Sequence, residues 1–64
     1  MEETEIEMAQ RHVSEGRRIV AAARDRVADL KAHGRDAHEA EQNLRVFEES
    51  LAIFEEHLAE LLAR

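Results

Sequence analysis

The sequence predicts an all-α protein, an antiparallel two-helix hairpin that dimerises into a four-helix bundle. Apolar and small residues recur at alternating spacings of three and four over two long segments. This is the spacing of helices that pack against other helices. The segments meet at Gly34, and the chain contains no proline to interrupt them. We therefore predict helices over about residues 5–33 and 37–63 within a single domain, residues 1–64.

The two predicted helices carry complementary stripes of core residues. The first stripe is Ile6, Ala9, Val13, Gly16, Val20, Ala23, Val27 and Leu30. The second is Ala37, Ala40, Leu44, Phe47, Leu51, Phe54, Leu58 and Leu61. A reversal at Gly34 pairs small residues of one helix with large residues of the other, as in Gly16 with Leu51, which favours dense packing. Gly16 lowers helix propensity by about 1 kcal/mol relative to Ala. We interpret it as space for a large side chain; a tolerated surface glycine is the alternative.

Residues at the ends of the segments define where each helix starts and stops. Thr4 and Glu7 have the spacing of a capping box at the start of the first helix. Gly34 suits the left-handed position that often follows a helix. Asp36 and Glu39 repeat the capping pattern before the second helix. The short loop that remains requires the two helices to be antiparallel neighbours.

One edge of the predicted hairpin is charged. Basic residues on the first helix face acidic residues on the second, either as Lys31 with Glu41, Arg24 with Glu48 and Arg17 with Glu55, or shifted by one heptad. Exposed pairs of this kind contribute only about 0–1 kcal/mol each. We expect them to select the register and orientation of the helices.

The opposite edge, which we call the apolar flank, extends the core stripe to one side. A lone hairpin leaves this flank in water, and exposed apolar patches of this kind mark association surfaces. We therefore predict that two copies join through it with two-fold symmetry. The predicted dimer interface contains Met8, His12, Ile19, Ala22, Val46, Phe47, Ser50, Ile53, Phe54 and His57.

Composition excludes several classes of protein. The chain has 64 residues, no cysteine and a net charge of −6, so it has neither disulfides nor thiolate metal sites, and its overall charge does not favour nucleic acid or anionic lipid. Charged residues interrupt every apolar run, which predicts no membrane span. The N-terminal segment is acidic and lacks the features of a signal peptide. We predict a cytoplasmic location.

Few residues offer chemistry. His12 and His57 lie on the same flank and could approach each other, but the sequence has no His-x-x-x-His or Glu-x-x-His motif. We interpret them as boundary residues of the dimer and predict no metal and no cofactor. The chain has no cysteine, tyrosine or glycine-rich phosphate loop, and a hairpin of this size has little volume for a pocket. The sequence predicts that the protein is not an enzyme.

Three functional hypotheses follow from these features. The first is a non-catalytic protein–protein interaction or small regulatory module, a homodimeric bundle whose partner-binding residues include Arg11 and Arg18. The second is RNA or DNA binding by the basic face of the first helix, although the only aromatic residues, Phe47 and Phe54, lie in the second. The third is a subunit of a hetero-assembly, in which a different protein covers the apolar flank.

Two resemblances bear on these hypotheses. The length and the alternating small and large layers resemble the Rop-type plasmid regulators, a family of dimeric helical hairpins that bind paired RNA loops. This resemblance implies a four-helix bundle, but no RNA-contacting residue can be matched by position. Over residues 34–62, the Gly-x-Asp turn at Gly34, followed by Ala40-Glu41 and Phe47-Glu48-Glu49-Ser50-Leu51, is similar to small uncharacterised bacterial proteins. That resemblance implies a bacterial source and no activity.

Overall fold

The computed structural model describes residues 2–64 as two antiparallel α-helices, α1 (Glu5–Ala32) and α2 (His38–Leu62), which pack against each other. No strand occurs among these residues. The predicted hairpin is therefore confirmed, with helix ends close to those expected. Its dimensions are 47 × 22 × 13 Å, so the fold is one layer that is two helices wide and one helix thick.

The N-terminus of α1 has the predicted capping box. The Glu7 amide donates a hydrogen bond to Thr4 Oγ1 at 3.1 Å, and the Thr4 amide donates one to Glu7 Oε1 at 3.1 Å. These two bonds satisfy backbone donors that the first turn of a helix otherwise leaves unpaired. The helix is thereby fixed to start at Glu5.

Gly34 reverses the chain after α1, as predicted. Its φ of 65° lies in the left-handed region, where a Cβ atom is unfavourable. The Gly34 amide donates to the Lys31 carbonyl at 3.1 Å, and the Arg35 amide donates to the Leu30 carbonyl at 2.8 Å. This pair of hydrogen bonds is the Schellman motif, which closes a helix C-terminus while turning the chain back.

The prediction of a second capping box is wrong. Ala37 occupies the N-cap position of α2, and no side chain donates or accepts a capping hydrogen bond there. Asp36 lies one position earlier. Asp36 Oδ1 instead accepts a hydrogen bond from the His38 amide at 2.9 Å. Ala37 itself is buried, and the Glu41 amide donates the first hydrogen bond of the helix to its carbonyl at 2.8 Å.

The core consists mainly of small side chains. Within residues 2–64, the buried residues all belong to the predicted stripes: Ala9, Val13, Val20, Val27, Ala37 and Leu61. Apart from Leu61, the larger stripe residues of α2 are less well covered, and Phe47 and Phe54 remain 39% and 36% exposed. Their rings lie toward the apolar flank, where a single layer of helices provides nothing to cover them.

Gly16 lies at a close contact between α1 and α2. A Cβ atom built on Gly16 would stand 3.1 Å from Leu51 Cδ1, closer than ordinary van der Waals contact. The predicted pairing of Gly16 with Leu51 is therefore confirmed. The small residue makes room for the leucine side chain, and this explains a glycine in the interior of a helix.

We expect Gly16→Leu to destabilise the fold by about 1–3 kcal/mol, because the new side chain overpacks the layer that contains Leu51. Urea unfolding at a fixed protein concentration measures the change. Ser14→Leu is the matched control, because Ser14 is exposed on the same helix. An increase in stability for Gly16→Leu would contradict the close approach, and partial recovery in Gly16→Leu/Leu51→Ala would support it.

Candidate association surface

The charged edge of the hairpin forms a ladder of three ion pairs between α1 and α2. The distances are 3.2 Å for Arg17 with Glu55, 3.0 Å for Arg24 with Glu48 and 3.8 Å for Lys31 with Glu41. This is the first of the two predicted registers. The basic side chains are mostly exposed and the glutamate side chains are nearly half exposed, so each pair adds little stability. Together they pair three basic residues of α1 with three acidic residues of α2 within one chain.

The apolar flank on the opposite edge is exposed. Ile53 is 65% and Val46 is 57% exposed, values unusual for large β-branched side chains in a folded domain. Met8, Ile19, Phe47 and Phe54 are also exposed, as are Ala22, Ser50 and His57, and His12 is half-buried. The predicted interface residues are thus exposed or, in the case of His12, half-buried, and by helical periodicity they lie on one edge of the hairpin, as expected of an association surface.

A shallow groove of about 280 Å³ runs between the helices on this flank. Ile19 and Phe47 form its apolar sides, and Ala22, Ala23 and Ala40 contribute small side chains. Arg18 and Arg26 also line it. The groove is therefore apolar at its centre and basic along the α1 side.

His12, on the apolar flank, packs against an aromatic ring. The His12 ring lies 5.2 Å from the Phe54 ring, centroid to centroid, with the planes tilted by 38°. His12 therefore packs as an aromatic side chain across the helix contact. Among residues 2–64, no three His, Cys, Asp or Glu side chains are grouped closely enough to hold a metal ion.

The two candidate partner-binding arginines differ in their surroundings. Arg11 donates hydrogen bonds to both carboxylate oxygens of Glu3 at 3.1 Å and lies 3.5 Å from Glu15. The hydrogen bond from Arg11 is the main cause that lowers the pKa of the Glu3 carboxyl, and the same pair raises the pKa of Arg11. Within residues 2–64, Arg18 forms no ion pair. Arg18 is thus the more available of the two.

Sequence reasoning missed the contact between Glu3 and Arg11. Glu3 precedes the helix, and the eight-residue separation corresponds to no standard pair on a helix surface. The Thr4 cap orients the preceding chain alongside α1 and brings Glu3 back to Arg11. The spacing of eight residues, about two helical turns, is the only signal that the sequence contained.

The basic face of α1 is largely matched by carboxylates of the same chain. Arg11, Arg17, Arg24 and Lys31 each have an acidic partner. Contacts to phosphates would have to replace these ion pairs, so the face offers fewer free cations than its sequence indicates.

Comparisons with models of protein families, with curated proteins and with solved structures give no match for this chain. The two resemblances noted from the sequence therefore remain predictions. Neither helix in the described part of the chain is long and apolar enough to cross a membrane.

We expect the Glu3 carboxyl to titrate at lower pH than in the variant Arg11→Gln, because the variant lacks the hydrogen bond and charge that lower its pKa. Since the folded-state pKa is depressed, the contribution of the pair to stability is complete above the unfolded-state pKa and is lost as the pH falls through the folded-state value. NMR titration of the Glu3 side-chain carbon in both proteins measures the effect. Identical curves would contradict the pairing.

Proposed function

We propose that the chain is a non-catalytic protein–protein interaction module that acts as a homodimeric four-helix bundle. The observation that supports this most strongly is the exposure of large apolar side chains along the apolar flank. These side chains are Met8, Ile19, Val46, Phe47, Ile53 and Phe54. The other edge carries matched ion pairs and has no comparable need for a partner. A second copy presents the same apolar flank, so a two-fold axis would pair like with like.

The accessible surface supports an extensive interface. The hairpin exposes 5179 Å², whereas a compact monomer of this mass is expected to expose about 4200 Å². Two separate hairpins expose about 10,400 Å² in total, and a compact dimer would expose about 7000 Å². The difference, roughly 3400 Å², falls within the range of obligate homodimer interfaces.

The small size of the core also supports a dimer. Six of residues 2–64 are buried, and none of the large side chains in this range is fully enclosed. Small unstapled domains usually require a partner or exceptional packing to reach normal stability. Dimerisation would supply a second helical layer over Phe47 and Phe54, and folding would then be linked to protein concentration.

A binding role fits the chemistry of the surface better than catalysis does. The groove on the apolar flank is shallow, and it contains no hydroxyl, thiol or carboxylate side chain. It therefore lacks a nucleophile and a general base. In the proposed bundle the groove is covered, and the outer polar faces of the helices are left to engage other proteins.

We expect a solution mass near twice 7.4 kDa by light scattering on a sizing column, constant over a range of micromolar concentrations. A thermal midpoint that rises with protein concentration should accompany it, because association stabilises the folded state. A fully helical monomer at micromolar concentration would contradict the homodimer and redirect the search to a different protein that covers the flank.

Ile53→Glu tests the surface itself. We expect it to shift the mass toward the monomer, because it introduces a charge at the centre of the proposed interface. Leu62→Glu is the matched control, since Leu62 is similarly exposed at 59% but lies outside the apolar flank. Equal effects of the two substitutions would indicate a loss of stability or solubility rather than of a specific contact.

A further inference from the structure

We infer that the two hairpins associate with α1 of each copy against α2 of the other, so that both loops lie at the same end of the bundle. This inference rests on the proposed homodimer and specifies its geometry. It is carried by the charges that border the apolar flank and by the register of the hairpin.

Two symmetric arrangements bring the apolar flanks of two hairpins together. A two-fold axis parallel to the helices places α1 against α2 of the partner subunit, with both loops at one end. An axis perpendicular to the helices places α1 against α1 and α2 against α2, with the loops at opposite ends. Neighbouring helices are antiparallel in both arrangements, and the same apolar flank is buried. The hydrophobic contribution is therefore similar, and charge distinguishes them.

The border of the flank on α2 is acidic. The helix contains seven glutamates and one arginine, and α1 of the same chain pairs with three of those glutamates. The other four form no ion pair within residues 2–64 and lie toward the border of the flank by helical periodicity. These border residues are Glu39, Glu49, Glu56 and Glu60.

The border of the flank on α1 carries both signs of charge, since Glu15, Asp25 and Asp29 share this side of the helix by periodicity, but the charged residues that line the groove are basic. Arg18 and Arg26 line the groove, and neither forms an ion pair within residues 2–64. The close approach of Gly16 to Leu51 sets which parts of the two helices are level, and it places Arg18 level with Glu49. An axis parallel to the helices preserves these levels and therefore brings Arg18 opposite Glu49 of the partner subunit.

The perpendicular axis gives the opposite electrostatic result. It brings the acidic borders of two α2 helices together and places the two Arg18 side chains near the centre of the α1–α1 contact. Like charges placed opposite each other oppose association. With equal apolar burial, the parallel axis is the arrangement in which unpaired cations of one copy meet unpaired carboxylates of the other.

Spin labels at the loop test the arrangement directly. The chain has no cysteine, so Arg35→Cys gives one labelling site per copy and keeps the backbone hydrogen bond to Leu30. We expect a label-to-label distance of roughly 20–30 Å by pulsed electron paramagnetic resonance, because both loops share one end of the bundle. Ala63→Cys, at the other end, should give a similarly short distance.

The alternative results are distinct. Distances of about 45 Å at both sites, close to the length of the helices, would overturn the parallel axis and leave the homodimer in place. Absence of any intermolecular distance, together with a monomeric mass, would overturn the homodimer and this inference with it.

Charge changes at Arg18 provide an independent test that separates the two arrangements. We expect Arg18→Glu to raise the dimer dissociation constant by roughly fivefold to thirtyfold, because two symmetry-related attractions become repulsions. Combining it with Glu49→Arg should restore most of the affinity. Arg45→Glu is the matched control, since it makes the same change in charge at an exposed position away from the flank. We also expect the neutral variant Arg18→Gln to weaken association. Tighter association of Arg18→Gln, or no recovery in the double variant, would overturn the inference, because removing the charge strengthens the dimer only where two Arg18 side chains face each other.

Discussion

A single layer of two helices can bury only one stripe of each helix, and the other features of this protein depend on that constraint. The close contact between the helices is made where α1 carries small residues, so valine and alanine are buried while the phenylalanines of α2 are only half covered. The Gly16–Leu51 layer shows how closely the seam is fitted. Most of the large apolar side chains that the layer leaves exposed lie on one edge, the apolar flank.

The distribution of charge follows the same division into two edges. On one edge, Arg17, Arg24 and Lys31 meet glutamates of the same chain, and the pairs select a register without adding much stability. Around the apolar flank, Arg18 and the outer glutamates of α2 have no such partners among residues 2–64. A second copy that covers the apolar side chains would therefore also meet complementary charges, so both forces favour the same surface.

The proposed function draws its support from surface rather than from reactive groups. The exposed area exceeds that expected for a compact monomer by roughly 1000 Å², and the side chains that line the groove are apolar, amide or guanidinium groups. Of the two flank histidines, His12 packs on Phe54, and His57 is exposed. These features support the proposed role in contact with other macromolecules.

The sequence by itself determined the hairpin, its turn and the layers of its core, because these depend on local propensity and periodic spacing. Thr4 with Glu7, Gly34 and the Gly16–Leu51 layer were all readable from residue type and position. The charged residues left two registers open, and the structure has the one that pairs Arg24 with Glu48. Only the tertiary structure decided that Ala37 rather than Asp36 is the N-cap residue of α2 and that Glu3 forms an ion pair with Arg11. It also decided what fraction of Phe47 and Phe54 is exposed. These outcomes depend on which atoms meet through space once the helices are packed, and no periodic pattern along the chain encodes such contacts.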